Sequence, residues 1–111
     1  REEISRHVKL GASWEGFALE AVIRALDVDS KDCYFWSVHQ QAELDLLVFK
    51  GSKRLGFEFK WADAPKMTSS IKTAFEILNL DSLTVIYPGT KSYFLKEDIE
   101  VVGLKSFLES F

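Results

Sequence analysis

The chain has 111 residues, of which 47% are hydrophobic and 28% charged, and its formal net charge is −3. This composition is typical of a folded globular protein and excludes a disordered tail, and the length predicts a single domain over residues 1–111. The acidic balance argues against a basic, chain-wide nucleic-acid-binding surface. The single cysteine, Cys33, excludes an internal disulfide and a cysteine-rich zinc site, and it predicts a reducing, cytoplasmic compartment. No apolar run approaches the roughly 20 residues that a membrane span needs, so no membrane partner is predicted.

The first half of the chain predicts two helical segments and three strands. Residues 1–7 (REEISRH) are interpreted as charged helix, and the absence of an initiator methionine predicts a piece of a longer polypeptide. Residues 13–26 repeat apolar side chains at helical spacing, with Ser13 as a candidate N-cap. Residues 33–38, 43–50 and 53–61 are rich in aliphatic and aromatic residues, and the last two segments alternate as strands do.

The second half continues with a helix and a buried strand. Residues 68–78 return to helical spacing, and Thr68, Ser69 and Ser70 are candidate caps. Residues 83–87 (LTVIY) predict a buried strand parallel to a neighbour, and segments 93–95, 99–102 and 104–108 give weaker signals. The order predicts an α/β fold, specifically an α/β/α sandwich with a mixed central sheet and core order α-β-β-β-α-β.

Glu15 has an unusual position on the first predicted helix. On an ideal helical wheel it falls inside the apolar arc, between Val22 and Leu26, so it points towards the sheet. A buried carboxylate there requires a cation or a hydrogen-bond donor. Alternatively, Glu15 lies in the first helical turn, where it reaches water and favours the helix dipole. Both readings stay open at this point.

A hairpin centred on Gly51-Ser52 fixes the register of the second and third strands. In that register Asp45 faces Glu58 and Glu43 faces Lys60. Two directly opposed carboxylates repel each other and therefore call for a cation. The other face of the hairpin is predicted to be uniformly apolar, with Leu44, Leu46 and Val48 against Leu55, Phe57 and Phe59.

The two facing carboxylates suit a hard divalent cation, since Mg²⁺ binds through one or two carboxylates together with water and phosphate oxygens. Lys60 lies two residues after Glu58 on the same strand face, where it can orient a water or neutralise charge on a phosphate. Alternatively, Lys60 forms a simple cross-strand ion pair with Glu43. Glu-x-Lys alone has weak specificity, and its combination with Asp45 and Glu15 is the stronger signal.

The pattern of Glu15, LDLLV with Asp45, and FEFK with Glu58 and Lys60 resembles the signature of PD-(D/E)XK phosphodiesterases. More closely, the segments GASWEGF, YFWSVHQQAELDLLV, GFEFKWADAPKMTSSI and LTVIYPG resemble the uncharacterised C-terminal domain of prokaryotic AAA+-type ATPases. The resemblance implies a restriction-endonuclease-like fold, an ATPase module in the same full-length chain, and DNA as substrate. It also implies that Glu15, Asp45 and Glu58 bind Mg²⁺ or Mn²⁺ and that these three residues and Lys60 are catalytic. The proline of the motif's name is absent, because Leu44 precedes Asp45.

The leading hypothesis is therefore a divalent-metal-dependent nuclease that hydrolyses DNA phosphodiesters. The alternative is a non-catalytic DNA- or protein-binding module with the same fold, which the net acidity favours, and a third reading is a structural dimerisation domain. His39, Gln41 and Glu43 precede the acidic strand as candidate substrate contacts or simple loop residues, whereas Cys33, Trp14 and Trp36 are interpreted as packing residues. A group of basic residues in the middle third predicts either a phosphate-binding patch or solvated surface: Lys50, Lys53, Arg54, Lys60, Lys66 and Lys72.

Overall fold

The computed structural model describes residues 2–6, 13–38 and 41–111, and His7 and His39 lie outside the described residues. The elements of the described part are, in chain order, β1 (Glu2–Arg6), α1 (Trp14–Leu26), a short 3₁₀ turn (Ser30–Asp32), β2 (Cys33–Val38), β3 (Ala42–Lys50), β4 (Lys53–Phe59), α2 (Ser69–Ile77), β5 (Ser82–Tyr87), β6 (Ser92–Lys96), β7 (Ile99–Gly103) and α3 (Leu104–Glu109). None of the helices in these ranges has both the length and the apolar character of a membrane span.

The strands of the described residues form one seven-stranded mixed sheet in the order β1-β2-β3-β4-β5-β7-β6. Strands β1 to β4 pair antiparallel, β4, β5 and β7 run parallel, and β6 pairs antiparallel with β7. A parallel step requires a crossover connection, and α2 provides it between β4 and β5. The predicted mixed sheet and the parallel strand at 83–87 are therefore confirmed.

Helices cover both faces of this sheet. Alternate residues of β5 point to opposite faces. Leu83 and Val85 join an apolar cluster with Ile71 and Ala74 of α2, whereas Ile86 joins a second cluster built on α1 and α3. The mixed α/β fold is confirmed, with α2 on one face and α1 and α3 on the other.

The two long helices begin where the sequence predicts. Ser13 caps α1 by accepting a hydrogen bond from the Gly16 amide at 3.1 Å, and Thr68 caps α2 by accepting from the Ile71 amide at 3.1 Å. Such caps satisfy amide groups that the first helical turn leaves free. Capping by Ser13 places Glu15 in the first turn of α1.

The predicted packing roles of Trp36 and Cys33 are confirmed, because both side chains are buried. Burial raises the pKa of the Cys33 thiol, which therefore stays protonated and inert at neutral pH. Trp14 is half-buried and packs against the cluster on the α1 face.

The helix predicted for residues 1–7 is wrong in the part that the structure describes. Glu2–Arg6 is a strand that pairs antiparallel with β2, with Glu2 opposite Val38 and Arg6 opposite Tyr34. Helix propensity is a weak local preference, and the open edge of β2 offers a ladder of backbone hydrogen bonds that overrides it. Charged residues are also common on edge strands, because they discourage pairing with another molecule.

The apolar hairpin face predicted for β3 and β4 is confirmed except at Leu44, because β3 contains a bulge. Tyr34 pairs with Leu47 and Trp36 pairs with Leu44, so the single residue Phe35 faces two residues of β3, Asp45 and Leu46. The extra residue changes which face of the sheet the alternate side chains of β3 point to on the two sides of the bulge. Leu44 consequently packs on the α2 face, whereas Leu46 and Val48 pack on the α1 face. The bulge is therefore centred on one of the candidate site residues.

Candidate functional site

The candidate site lies where the ladder between β3 and β4 ends. The predicted register is confirmed, since Leu46 pairs with Phe57 and Val48 with Leu55. Gly51, at the hairpin turn, has the positive φ of 63° that such a turn requires. Continuing the same register by one residue places Asp45 opposite Glu58.

Beyond the pair of Leu46 and Phe57, side-chain carboxylates take the place of backbone carbonyls as hydrogen-bond acceptors. The Asp45 amide donates to Oε1 of Glu58 at 3.2 Å, and the Phe59 amide donates to Oδ2 of Asp45 at 2.9 Å. The two side chains therefore cross-link the two strands where the ladder stops. The β3 bulge at Asp45 and Leu46 contributes to this geometry, because bulges re-aim side chains at strand ends.

Glu58 is buried, with 5% of its surface exposed. Among the described residues it is the one charged side chain that is buried. Lys60 Nζ lies 3.2 Å from Oε2 of Glu58, and the Lys60 side chain is 41% exposed. Burial, and then the charge of Asp45, raise the pKa of Glu58 to about 8, although Lys60 and the Asp45 amide pull it down. Burial also raises the pKa of Asp45, while the Phe59 amide and Lys60 lower it.

The ion-pair partner of Lys60 differs from Glu43, the alternative that the sequence offered. Among the described residues Lys60 pairs with Glu58 and not with Glu43. The backbone of Glu43 is instead tied to Ser70 of α2: the Glu43 amide donates to Ser70 Oγ at 3.1 Å, and the Ser70 hydroxyl donates to the Glu43 carbonyl. Glu43 and Ser70 line a cavity of about 450 Å³ together with Ser37, Gln41 and Ala42. The ion pair with Glu58 therefore keeps Lys60 at the candidate site.

Glu15 stands apart from the other three residues. It lies half-buried in the first turn of α1, so partial burial and a place in the first helical turn, the two alternatives from the sequence, occur together. Its charge raises the pKa of Asp45, which places it within electrostatic reach of that carboxylate. Across the described ranges, however, no group of three or more His, Cys, Asp or Glu side chains is arranged to hold a metal ion.

The two carboxylates that do come together fit a hard divalent cation. They supply oxygen ligands on adjacent strands, and Lys60 is the cation paired with Glu58. Mg²⁺ needs only one or two protein carboxylates when water and phosphate oxygens complete its shell. Asp45 and Glu58 could therefore hold such an ion, with Glu15 adding negative charge nearby.

The basic residues of the middle third do not form one patch around this site. Lys50 and Lys53 pair beside the hairpin turn, at the end of the β3–β4 pair opposite to Lys60. Lys50 donates to the Leu26 carbonyl at 2.7 Å, and Arg54 donates to the Leu78 carbonyl at 2.8 Å. Two of the six basic side chains therefore contact the C-terminal ends of helices.

Trp61 is a residue that the sequence reading did not single out. It follows Lys60 directly, is 68% exposed, and contacts Trp14 edge to face with 5.6 Å between ring centroids. Trp14 itself directly precedes Glu15. The available signal was this adjacency, since each tryptophan neighbours a candidate site residue in the sequence.

With this fold and a paired-carboxylate site described, the chain can be compared with known proteins. Residues 10–107 match the family described as Domain of unknown function (DUF4143), and the chain belongs to this family. It is similar to Uncharacterized protein Rv2008c of Mycobacterium tuberculosis and Uncharacterized protein Mb2031c of Mycobacterium bovis, each 37% identical over 108 residues. The match covers 97% of this chain and 24% of each relative, so the chain spans about a quarter of their length. No solved structure matches the chain.

Proposed function

We propose that this domain is a divalent-metal-dependent nuclease of the PD-(D/E)XK kind, which hydrolyses DNA phosphodiesters. The observation that carries the proposal is the cluster at the end of the β3–β4 ladder, where Asp45 and Glu58 are cross-linked and Lys60 contacts Glu58. The succession of elements from α1 to β5, one helix, three strands, one helix and one strand, supports a restriction-endonuclease-like core.

In this proposal Asp45 and Glu58 hold the Mg²⁺ or Mn²⁺ ion. When bound, the ion lowers the pKa of a coordinated water and neutralises charge on the phosphate. Burial holds the pKa of Glu58 at about 8, so Glu58 must release a proton before it can act as a ligand at neutral pH. Metal affinity should therefore increase as the pH rises towards 8 and above.

Lys60 has a second role in this proposal. Its ammonium pairs with Glu58 on one side, while 41% of the side chain faces solvent, from which a phosphate would approach. A fixed cation at that position stabilises negative charge that develops on the phosphate in the transition state. Glu15, at the start of α1, contributes negative charge that favours the ion, either directly or through a bound water.

The rival is a non-catalytic DNA- or protein-binding module. Two observations favour it: the net charge of −3, and the lack, within the described ranges, of a third ligand already in place. The ATPase module in the same full-length chain and the cytoplasmic location belong to the proposal as well. The relatives are about four times as long as the matched segment, which leaves room in them for further domains.

The test is a metal titration followed by a cleavage assay on single-stranded, double-stranded and branched DNA. We expect cleavage in Mg²⁺ or Mn²⁺ and none in chelator. Glu58→Gln should abolish it, whereas Glu76→Gln, which removes an exposed carboxylate from α2, should leave it unchanged. Metal-independent DNA binding without cleavage would support the binding module and refute the nuclease.

A further inference from the structure

A pair of tryptophans, of which Trp61 is exposed, adjoins candidate site residues in the sequence. Trp61 and Trp14 meet edge to face at an interplanar angle of 61°, and Trp61 keeps 68% of its surface exposed. Trp14 packs against the apolar cluster on the α1 face, so it anchors the pair to the core. Trp61 therefore presents a large, supported aromatic surface to solvent.

The backbone next to this surface is fixed by the sheet. The Lys60 amide donates to the Ile86 carbonyl of β5 at 2.9 Å, which continues the β4–β5 pairing by one residue. Trp61 follows at the carboxyl end of β4, and Pro88 follows the carboxyl end of β5. Ligands of open α/β sheets bind at the carboxyl ends of the strands. Trp61 thus directly follows the candidate phosphate-binding lysine, whose backbone is held by the sheet.

A hollow of about 290 Å³ opens at this edge, lined by Trp61, Ala62, Asp63 and Pro88. Its walls are an aromatic ring, a proline and a carboxylate, and its lining includes no cation. Asp63 would repel a phosphate but can accept a hydrogen bond from an exocyclic amino group of a base. The chemistry of the hollow therefore suits a nucleobase and not the sugar–phosphate backbone.

We propose that Trp61 stacks on an unpaired nucleobase of a strand whose phosphate lies at Lys60, so that the preferred substrate is single-stranded or locally unpaired nucleic acid. This inference rests on the proposed function and specifies its substrate class. The flat face of an indole ring can stack on any base, whereas in an intact duplex the bases already stack on one another. A duplex would therefore bind at this edge only through its phosphates.

The test compares the binding of three labelled probes in Ca²⁺, which occupies oxygen-ligand sites. The probes are a single strand of mixed sequence, its duplex, and an abasic-spacer strand of the same length. For Trp61→Ala we expect weaker binding of the single strand by about 5- to 150-fold, as found for loss of one base–aromatic stack. Binding of the duplex and the abasic strand should be unchanged, and Trp61→Phe should retain most of the single-strand affinity.

Phe94→Ala is the matched control, because Phe94 is 66% exposed but lies on β6 at the far edge of the sheet. This variant should bind all three probes like wild type. Equal affinity of Trp61→Ala and wild type for the single strand would overturn the inference, and so would an equal loss on the abasic strand.

The two proposals fail in different ways. If wild type cleaves DNA but Trp61→Ala binds the single strand normally, the stacking role is wrong and the nuclease stands. If wild type cleaves nothing in Mg²⁺ or Mn²⁺ yet shows Trp61-dependent, base-dependent binding, the nuclease is wrong and the stacking role stands.

Discussion

Replacing Asp45 with Asn should stabilise the metal-free protein at high pH and remove its response to metal. The substitution removes the charge of half-buried Asp45, opposite buried Glu58, at nearly constant volume. The side-chain oxygen of Asn can still accept the hydrogen bond from the Phe59 amide, which Asp45 accepts at 2.9 Å. Its new amide group can donate to Glu58. The cross-link at the end of the ladder is therefore kept while the repulsion is lost.

The size of the effect follows from the geometry. Two charges on directly opposed residues about 5 Å apart repel by about 3 kcal/mol at an effective dielectric constant of about 20. Asn loses the attraction of Asp45 to Lys60 and the charge-assisted part of the Phe59 hydrogen bond, together about 1–2 kcal/mol. The net gain in unfolding free energy is about 1–2 kcal/mol at pH 9. A domain of this size then melts at least about 4 °C higher.

The stabilisation by Asp45→Asn depends on pH, because burial and the charge of Asp45 raise the pKa of Glu58 from 4.5 to about 8. Between these values the folded state holds a proton that the unfolded chain has released, so the stability of wild type falls as the pH rises through this window. Below about pH 5 Glu58 is neutral, and the advantage of Asp45→Asn should disappear. It should be greatest above pH 8, where both carboxylates are charged in wild type.

The assay is thermal unfolding at pH 5 and pH 9, in chelator and in a Mg²⁺ or Mn²⁺ series. At 100 times its dissociation constant a metal ion adds about 2.7 kcal/mol to wild type, and it should add much less to Asp45→Asn. Glu43→Gln is the control, since it removes an exposed charge from the same strand and should change stability by less than about 0.5 kcal/mol. A loss of stability in Asp45→Asn that is equal at both pH values and independent of metal would refute this reasoning.

Three further outcomes are expected. Lys60→Ala should leave metal affinity close to wild type when measured at a pH that ionises Glu58, whose pKa rises further once Lys60 no longer lowers it. The cleavage rate should fall by about 100-fold or more; an unchanged rate would remove Lys60 from catalysis. Glu15→Gln should weaken metal binding in calorimetric titrations but change unfolding free energy by less than about 1 kcal/mol, since Glu15 is half-buried in a first helical turn; a large stability loss with normal metal affinity would make it a structural residue. Gly103→Ala should destabilise the fold by about 3 kcal/mol or more in denaturant unfolding, because a Cβ there would collide with the backbone carbonyl of Gly89, and wild-type stability would show that this close approach can relax.

Those parts of the site that depend on short-range pattern can be predicted from the sequence. Alternating side chains and a glycine at the turn predict the β3–β4 register, which places Asp45 opposite Glu58. Ser13 and Thr68 mark the helix starts through hydrogen bonds to amides three residues away. These features are readable because periodicity, caps and tight turns involve residues close together in the chain.

Features that depend on partners distant in sequence are visible only in the folded chain. The pairing of Glu2–Arg6 with β2 converts a charged, helix-like segment into an edge strand. The β3 bulge is defined only against Phe35 of β2, and it moves Leu44 to the face opposite Leu46.

The chemistry of the site was decided at the same level. The burial that raises the pKa of Glu58 and the contact between Trp14 and Trp61 both depend on elements that are far apart in the chain. Each is set by how the sheet and helices pack as a whole, because the free energy of a long-range contact depends on every element that brings its two sides together.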